Sequence, residues 1–237
     1  MLRIPHIPRL VKSAILILCP IAVLLPAGIA LAATPAAGDL ARCGSNVADT
    51  AIAGCTALIE SGQETPALYQ RRAIAYYNKG LTDQAIADQT KVIALKPDFP
   101  AAYYDRAEAY LGTGLTDQAI ADYTKAIALK PRYAEAYSDR GVALEKKGLT
   151  DQAIADETQA IAIQPGLAEA YKNRGVFYTS KGLNDQAIAD CTKAIAIEPD
   201  YAQPYYDRGL AKHAKGDVAG GDADIAKAKQ LNPNSGK

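Results

Sequence analysis

The sequence predicts an all-α fold, a solenoid of stacked antiparallel helix pairs. Three ladders that share one 34-residue period carry that prediction. The string Leu-Thr-Asp-Gln-Ala-Ile-Ala-Asp starts at Leu81, Leu115 and Leu149, and recurs with Asn for Thr at Leu183. Glycines follow the same ruler at Gly80, Gly114, Gly148, Gly182 and Gly216, and prolines at Pro97, Pro131, Pro165, Pro199 and Pro233. Composition agrees. Apolar residues make up 49% of the chain, and alanine is the commonest of them, with two Phe and no Trp. Few large side chains favour thin layers packed on alanine over one deep core.

Residues 1–32 read as a secretory signal peptide. Arg3, His6, Arg9 and Lys12 precede an apolar run from Ser13 to Ala32, which ends in the small-x-small site Ala30-Leu31-Ala32. Cleavage is expected after Ala32. The competing reading is an uncleaved membrane anchor, against which Pro20 and Pro26 interrupt the run. Residues 33–237 carry 23 basic and 26 acidic residues, a mildly acidic balance that argues against phosphate-driven nucleic-acid binding. Export, to the periplasm or beyond, makes a Cys43–Cys55 disulfide the expected state of those two cysteines, with two buried free thiols as the alternative. Cys191 sits at a repeat position held elsewhere by Tyr123 or Ile225 and reads as a packed, inert thiol.

Residues 33–65 read as an N-terminal cap. The segment 49–62 aligns with the second helix of a repeat at the same offset, so it is expected to be a half-repeat helix without a partner. Five units then run 66–99, 100–133, 134–167, 168–201 and 202–235. Each reads as two helices. The first carries apolar or small residues at helical spacing, as in Tyr103, Ala107 and Tyr110, and stops at the periodic Gly in a left-handed cap. Thr82, Thr116 and Thr150 suit the N-cap of the second helix, with Leu81 and Ile86 placed for a hydrophobic staple. Proline ends the second helix. Gly220-Gly221 inside the last helix predicts a frayed terminal unit.

The pattern resembles the tetratricopeptide repeat family over residues 66–235. An aromatic stands at position 4 of each unit (Tyr69, Tyr103, Tyr137, Tyr171, Tyr205) and Ala or Gly at position 8 (Ala73, Ala107, Gly141, Gly175, Gly209). Ala fills position 20 except at Gly221, and position 27 except at Val92. The resemblance implies a right-handed superhelix, a non-catalytic interaction scaffold and a concave groove lined by the first helices. The family's ligand positions map here to Arg71, Asp105, Asp139, Asn173 and Asp207, with Tyr104, Lys172 and Tyr206 beside them. Over all the implied groove positions, three basic residues face seven acidic ones. An extended polar or basic peptide is therefore the expected ligand, with tyrosine faces for Arg or Lys stacking. A solvated face without a ligand is the alternative. The carboxylate clamp of chaperone-binding relatives is absent from the matching positions.

Two charges recur in all five units: Arg72, Arg106, Arg140, Arg174 and Arg208 at position 7, and Asp88, Asp122, Asp156, Asp190 and Asp224 at position 23. They read as a structural ion-pair ladder, each Arg bidentate to an Asp, with an anion-binding stripe as the alternative. No Ser/His/Asp set, metal-spaced Cys/His cluster or phosphate-cradling Gly loop occurs, so neither enzyme activity nor a metal or cofactor is expected. The expected function is a scaffold that holds a protein or peptide partner. The alternatives are a regulatory subunit of an envelope enzyme complex and a structural homo-oligomer.

Overall fold

The computed structural model describes residues 35–235, so the expected signal segment 1–32 lies outside the described residues. Among those residues every regular element is an α-helix. The order is α1 Pro35–Cys43, α2 Ala48–Glu60, α3 Pro66–Asn78, α4 Thr82–Leu95, α5 Pro100–Gly112, α6 Thr116–Leu129, α7 Ala134–Lys146, α8 Thr150–Ile163, α9 Ala168–Ser180, α10 Asn184–Ile197, α11 Ala202–Ala214 and α12 Val218–Leu231. None is long and apolar enough to cross a membrane. The chain forms two compact units that divide within α5, between Ala109 and Tyr110.

Each helix pair is joined by a turn that the sequence specifies tightly. In the 66–99 repeat, Gly80 adopts φ 74°, and its N–H donates to the Tyr77 carbonyl while the Leu81 N–H donates to that of Tyr76. This is a Schellman ending, which needs a residue without a Cβ at the left-handed position. The same turn displaces the expected cap. Leu81, Leu115, Leu149 and Leu183 occupy the N-cap positions, no side chain caps those helices, and Thr82, Thr116 and Thr150 are already helical. The reason is economy of chain: the leucine that closes the first helix also opens the second, because the Leu81 carbonyl accepts from Ala85 N. The expected staple loses its register for the same reason. Each leucine is a cap residue and stays 36–42% exposed.

In the unit formed by 35–109, α2 packs on α3 and α3 on α4. Tyr69, Val92 and Ala102 form a buried cluster with Ile59, Ile93 and Phe99 against it. The half-repeat helix does have a partner, contrary to the sequence reading. The nine-residue α1 lies on α2, where a Cβ at Gly54 would meet Cys43 N at 2.4 Å and Asp39 O at 2.7 Å. Gly54 stands at the position that is Asp88 one period later, so the cap replaces a charge with a close backbone approach. A disulfide between Cys43 and Cys55 locks it, with both cysteines buried beside Leu58 and Leu68.

In the unit formed by 110–235, consecutive helices pack in pairs, and the first helices α7, α9 and α11 also touch one another. Ala153, Ala187, Ala160, Ala194 and Ala228 are fully buried, as close interhelical packing requires. Leu144 and Phe177 close a cluster with Ala153 that Ile120, Val142 and Ile154 cover. The last repeat is not frayed. α12 is a regular 14-residue helix capped by Asp217, whose side chain accepts from Gly220 N. A Cβ at Gly221 would sit 2.0 Å from the His213 ring, so that glycine makes room for the imidazole. His213 is half-buried there, 3.2 Å from the Val218 carbonyl and 3.1 Å from Asp222.

Candidate functional site

The recurrent charges form bidentate pairs. Arg72 donates to both oxygens of Asp88 at 2.7 and 2.8 Å, Arg140 to Asp156 at 2.8 and 2.8 Å, Arg174 to Asp190 at 2.7 and 2.9 Å, and Arg208 to Asp224 at 2.7 and 2.7 Å. Each guanidinium spends its remaining arm on a threonine of the preceding helix pair: Arg72 on Thr56, Arg106 on Thr90, Arg140 on Thr124, Arg174 on Thr158 and Arg208 on Thr192. The threonine hydroxyls donate in turn to carbonyls four residues back, as Thr158 does to Ile154. The position-4 tyrosines lie under the arginines, 5.5–5.9 Å away. The cations are thus fully engaged by the fold, and Asp122 is buried. The threonines were the unread part of this ladder, although they too recur every 34 residues. A second, exposed ladder joins Lys79 to Asp49, Lys147 to Asp117, Lys181 to Asp151 and Lys215 to Asp185.

The residues expected to bind are scattered in character. Arg71 is exposed on α3. Tyr104 is buried, so its ring offers no stacking face, and Tyr206 is half-buried. Asp105 accepts from Gln89 at 3.1 Å, and burial pushes its carboxyl up to about 7 against donation by Gln70 and Gln89. Asp207 accepts from Gln203 at 2.8 Å, and burial pushes it up to about 6, opposed by Gln203 and Lys172. Its second oxygen is buried without a hydrogen-bond partner. The seven acids counted from sequence are therefore not seven solvated charges near neutrality.

Asp139, Lys172, Asn173 and Asp207 do come together, through Ser138, itself one of the implied groove positions, and through Glu157, which the sequence reading passed over. Lys172 bonds the Asn173 carbonyl oxygen, and the Asn173 amide donates to Ser138 Oγ at 3.2 Å, bridging α9 to α7. Below them lies Glu157 of α8, completely buried. Burial raises its proton affinity well above the usual carboxyl range. Lys172 bears on both Glu157 and Asp207. The sequence held one signal for Glu157. Its repeat position is Gln89, Tyr123, Cys191 or Ile225 in the other units, and all but Ile225 are buried. Room for this line is made by glycines at position 8: a Cβ on Gly141 would lie 3.3 Å from Glu157 Oε1, on Gly175 3.0 Å from Cys191 Sγ, and on Gly209 2.8 Å from Ile225 Cγ1. Burial also pushes the Cys191 thiol up to about 12, which leaves it unreactive.

Beside the cluster, Val142 is half-buried, and Val176 and Leu210 are 39% and 41% exposed at the same position of α7, α9 and α11. They form an apolar stripe across three adjacent first helices.

Sequence profiles agree with this architecture. Residues 66–99 and 168–201 match the tetratricopeptide repeat, and residues 113–148 match a TPR repeat profile. The crystal structure of MamA protein is 30% identical, covering 72% of this chain and 93% of that one with a TM-score of 0.63. This chain belongs to the tetratricopeptide repeat family. A thermophilic TPR protein of Thermus thermophilus is 26% identical, covering 72% of this chain and 93% of its own with a TM-score of 0.59. YrrB, described as a TPR protein with an unusual peptide-binding site, shares the fold at 20% identity, 76% and 93% coverage and a TM-score of 0.61. No curated protein matches the chain. As a family, TPR repeats are interaction scaffolds rather than catalysts.

Proposed function

We propose that this TPR chain is an exported scaffold that holds an extended segment of a partner protein on the first-helix face of α7, α9 and α11. The observation that carries the proposal is the Val142–Val176–Leu210 stripe, which recurs at one repeat position on three consecutive first helices. Exposed apolar side chains in a row gain by being covered, at about 25 cal/mol per Å². An extended segment supplies apolar side chains for the stripe and amide or basic donors for the exposed polar groups of the same face. Export rests on the N-terminal basic and apolar segments alone. YrrB, a protein of this fold with a peptide-binding site, is consistent with the reading.

The test is site-specific photocrosslinking of the full chain in its native host, with the probe at Val176 or at Lys193, an exposed residue of α10. A partner adduct at Val176, absent at Lys193 and lost with Leu210→Asp, supports the proposal. Equal adducts at both positions overturn it. Adducts to a second copy of the chain alone replace it with a homo-oligomer. A catalytic partner at Val176 identifies the scaffold as the regulatory subunit of an enzyme complex.

A further inference from the structure

Among the described residues, Glu157 is the least exposed of the charged side chains. It is 0% exposed, and neither carboxyl oxygen meets a donor at full hydrogen-bond geometry, although Ser138 and Asn173 face it closely enough to favour the ionised form against its burial. An uncompensated buried charge is so unfavourable that such a group either takes up a proton or opens its surroundings to water. The environment has one route to compensation. Lys172 on α9 is bound to the Asn173 side chain, and Asn173 to Ser138, so Ser138 accepts from Asn173 and keeps its own proton for the carboxyl side. Ser138 and Asn173 are the polar groups turned toward Glu157.

The other charges around it are fixed or adverse. On α7, Asp139 repels a Glu157 carboxylate and Arg140 is committed to Asp156 of α8. On α8, Asp151 holds Lys181. On α9, Arg174 is committed to Asp190, and Lys172 is shared with Asp207 of α11. Gly141 brings the α7 backbone against the carboxyl, so the side chain has little room to turn away.

We infer that Glu157 is a proton switch seated among α7, α8 and α9: carrying a proton it lets the three helices close around it, and on losing that proton it loosens α9 from α8. The consequence reaches the first-helix face, because Lys172, Asn173 and Val176 all stand on α9. The direction follows from linkage. The closed form binds the proton more tightly than the open form, whose carboxyl titrates near the ordinary value of about 4.3. Closure is therefore complete below that range and is lost as pH rises through the higher closed-state value. In between, opening becomes about tenfold easier per pH unit.

Hydrogen exchange of the unliganded full chain between pH 5 and 8 tests this, independently of whether any partner binds the face. Relative to intrinsic exchange rates, protection in residues 150–180 should fall by up to about tenfold per pH unit, while α12 changes less. Glu157→Gln, which keeps the shape without the charge, should flatten that slope. An unchanged slope in Glu157→Gln, or flat protection in the parent chain, overturns the switch. If the variant does not fold, carboxyl ¹³C NMR of the parent chain decides. A Glu157 resonance titrating well above the surface glutamates supports the switch, and one titrating with them overturns it.

Discussion

Two lines of side chains run through the repeats at neighbouring sequence positions, and they behave oppositely. One, at Asp88, Asp156, Asp190 and Asp224, meets an arginine in the same bidentate geometry each time. The next residue along is Gln89, Glu157, Cys191 or Ile225, different in every case. The first line is constrained by charge. A half-buried guanidinium has a narrow set of acceptors that satisfy it, so Arg, Asp and the threonine of the preceding pair recur together. The second line is constrained by volume, which many side chains satisfy provided the facing residue yields. Gly141, Gly175 and Gly209 are the residues that yield. Sameness among the repeats therefore marks what the stack needs, and difference marks where this chain has placed properties of its own.

The strongest way to break that contrast is to orphan one charge. Arg174→Met leaves Asp190, 9% exposed, without its cation, and should destabilise the chain by about 3–5 kcal/mol in urea unfolding. Adding Asp190→Leu should recover most of the loss. A double variant no better than the single would mean the pair is not what holds the interface. On the volume line, Gly175→Ala should cost about 1–3 kcal/mol by overpacking against Cys191. Cys191→Ala in the same chain should relieve much of it, whereas the same relief in an Arg174→Met background should not occur.

A smaller effect separates the buried acids from the ladder acids. Asp207 is pushed up to about 6, so the folded chain holds that proton more tightly than the unfolded one, and stability is lost as pH rises through about 6. Asp207→Asn should therefore gain on the parent as pH rises from about 4 to about 6 and keep that gain above it, with an advantage in thermal unfolding ~1 kcal/mol larger at pH 8 than at pH 5. A parent more stable at pH 8 than the variant would place an unseen cation beside Asp207. Asp224 should behave in the opposite sense, because Arg208 and Lys212 outweigh the burial that opposes them and hold its carboxyl below the usual range. The smallest change is expected on the exposed ladder. Lys147→Met, facing an Asp117 that is 77% exposed, should shift stability by less than about 1 kcal/mol, and added salt should erase even that.

The repeat boundaries, the Gly turns and the Arg–Asp partnership were legible because each depends on local chain chemistry repeated at a fixed interval. Gly80 needs a left-handed backbone wherever a Schellman turn closes, and an arginine with an aspartate at matched spacing has few other uses. The binding face was less legible. Asp105 and Asp207 look like groove charges from their position number, yet their character depends on how much of the neighbouring helices covers them. Gly221 read as a helix breaker because its partner, the His213 ring, comes from the other helix of the pair. α1 was missed because it is only nine residues long and built mostly of small side chains. Leu40 is 62% exposed, and what holds the helix is Gly54 and a disulfide rather than a hydrophobic face.

Residue order was enough to specify the helix-pair stack, its period and its family, since those depend on periodicity and turn chemistry that act within about one repeat. Which polar groups are solvated and which are enclosed was settled by packing. Glu157 and Asp207 are ordinary residues in a string, and their proton affinities are set by desolvation and by neighbours such as Lys172, quantities that exist only once α7, α8, α9 and α11 are packed.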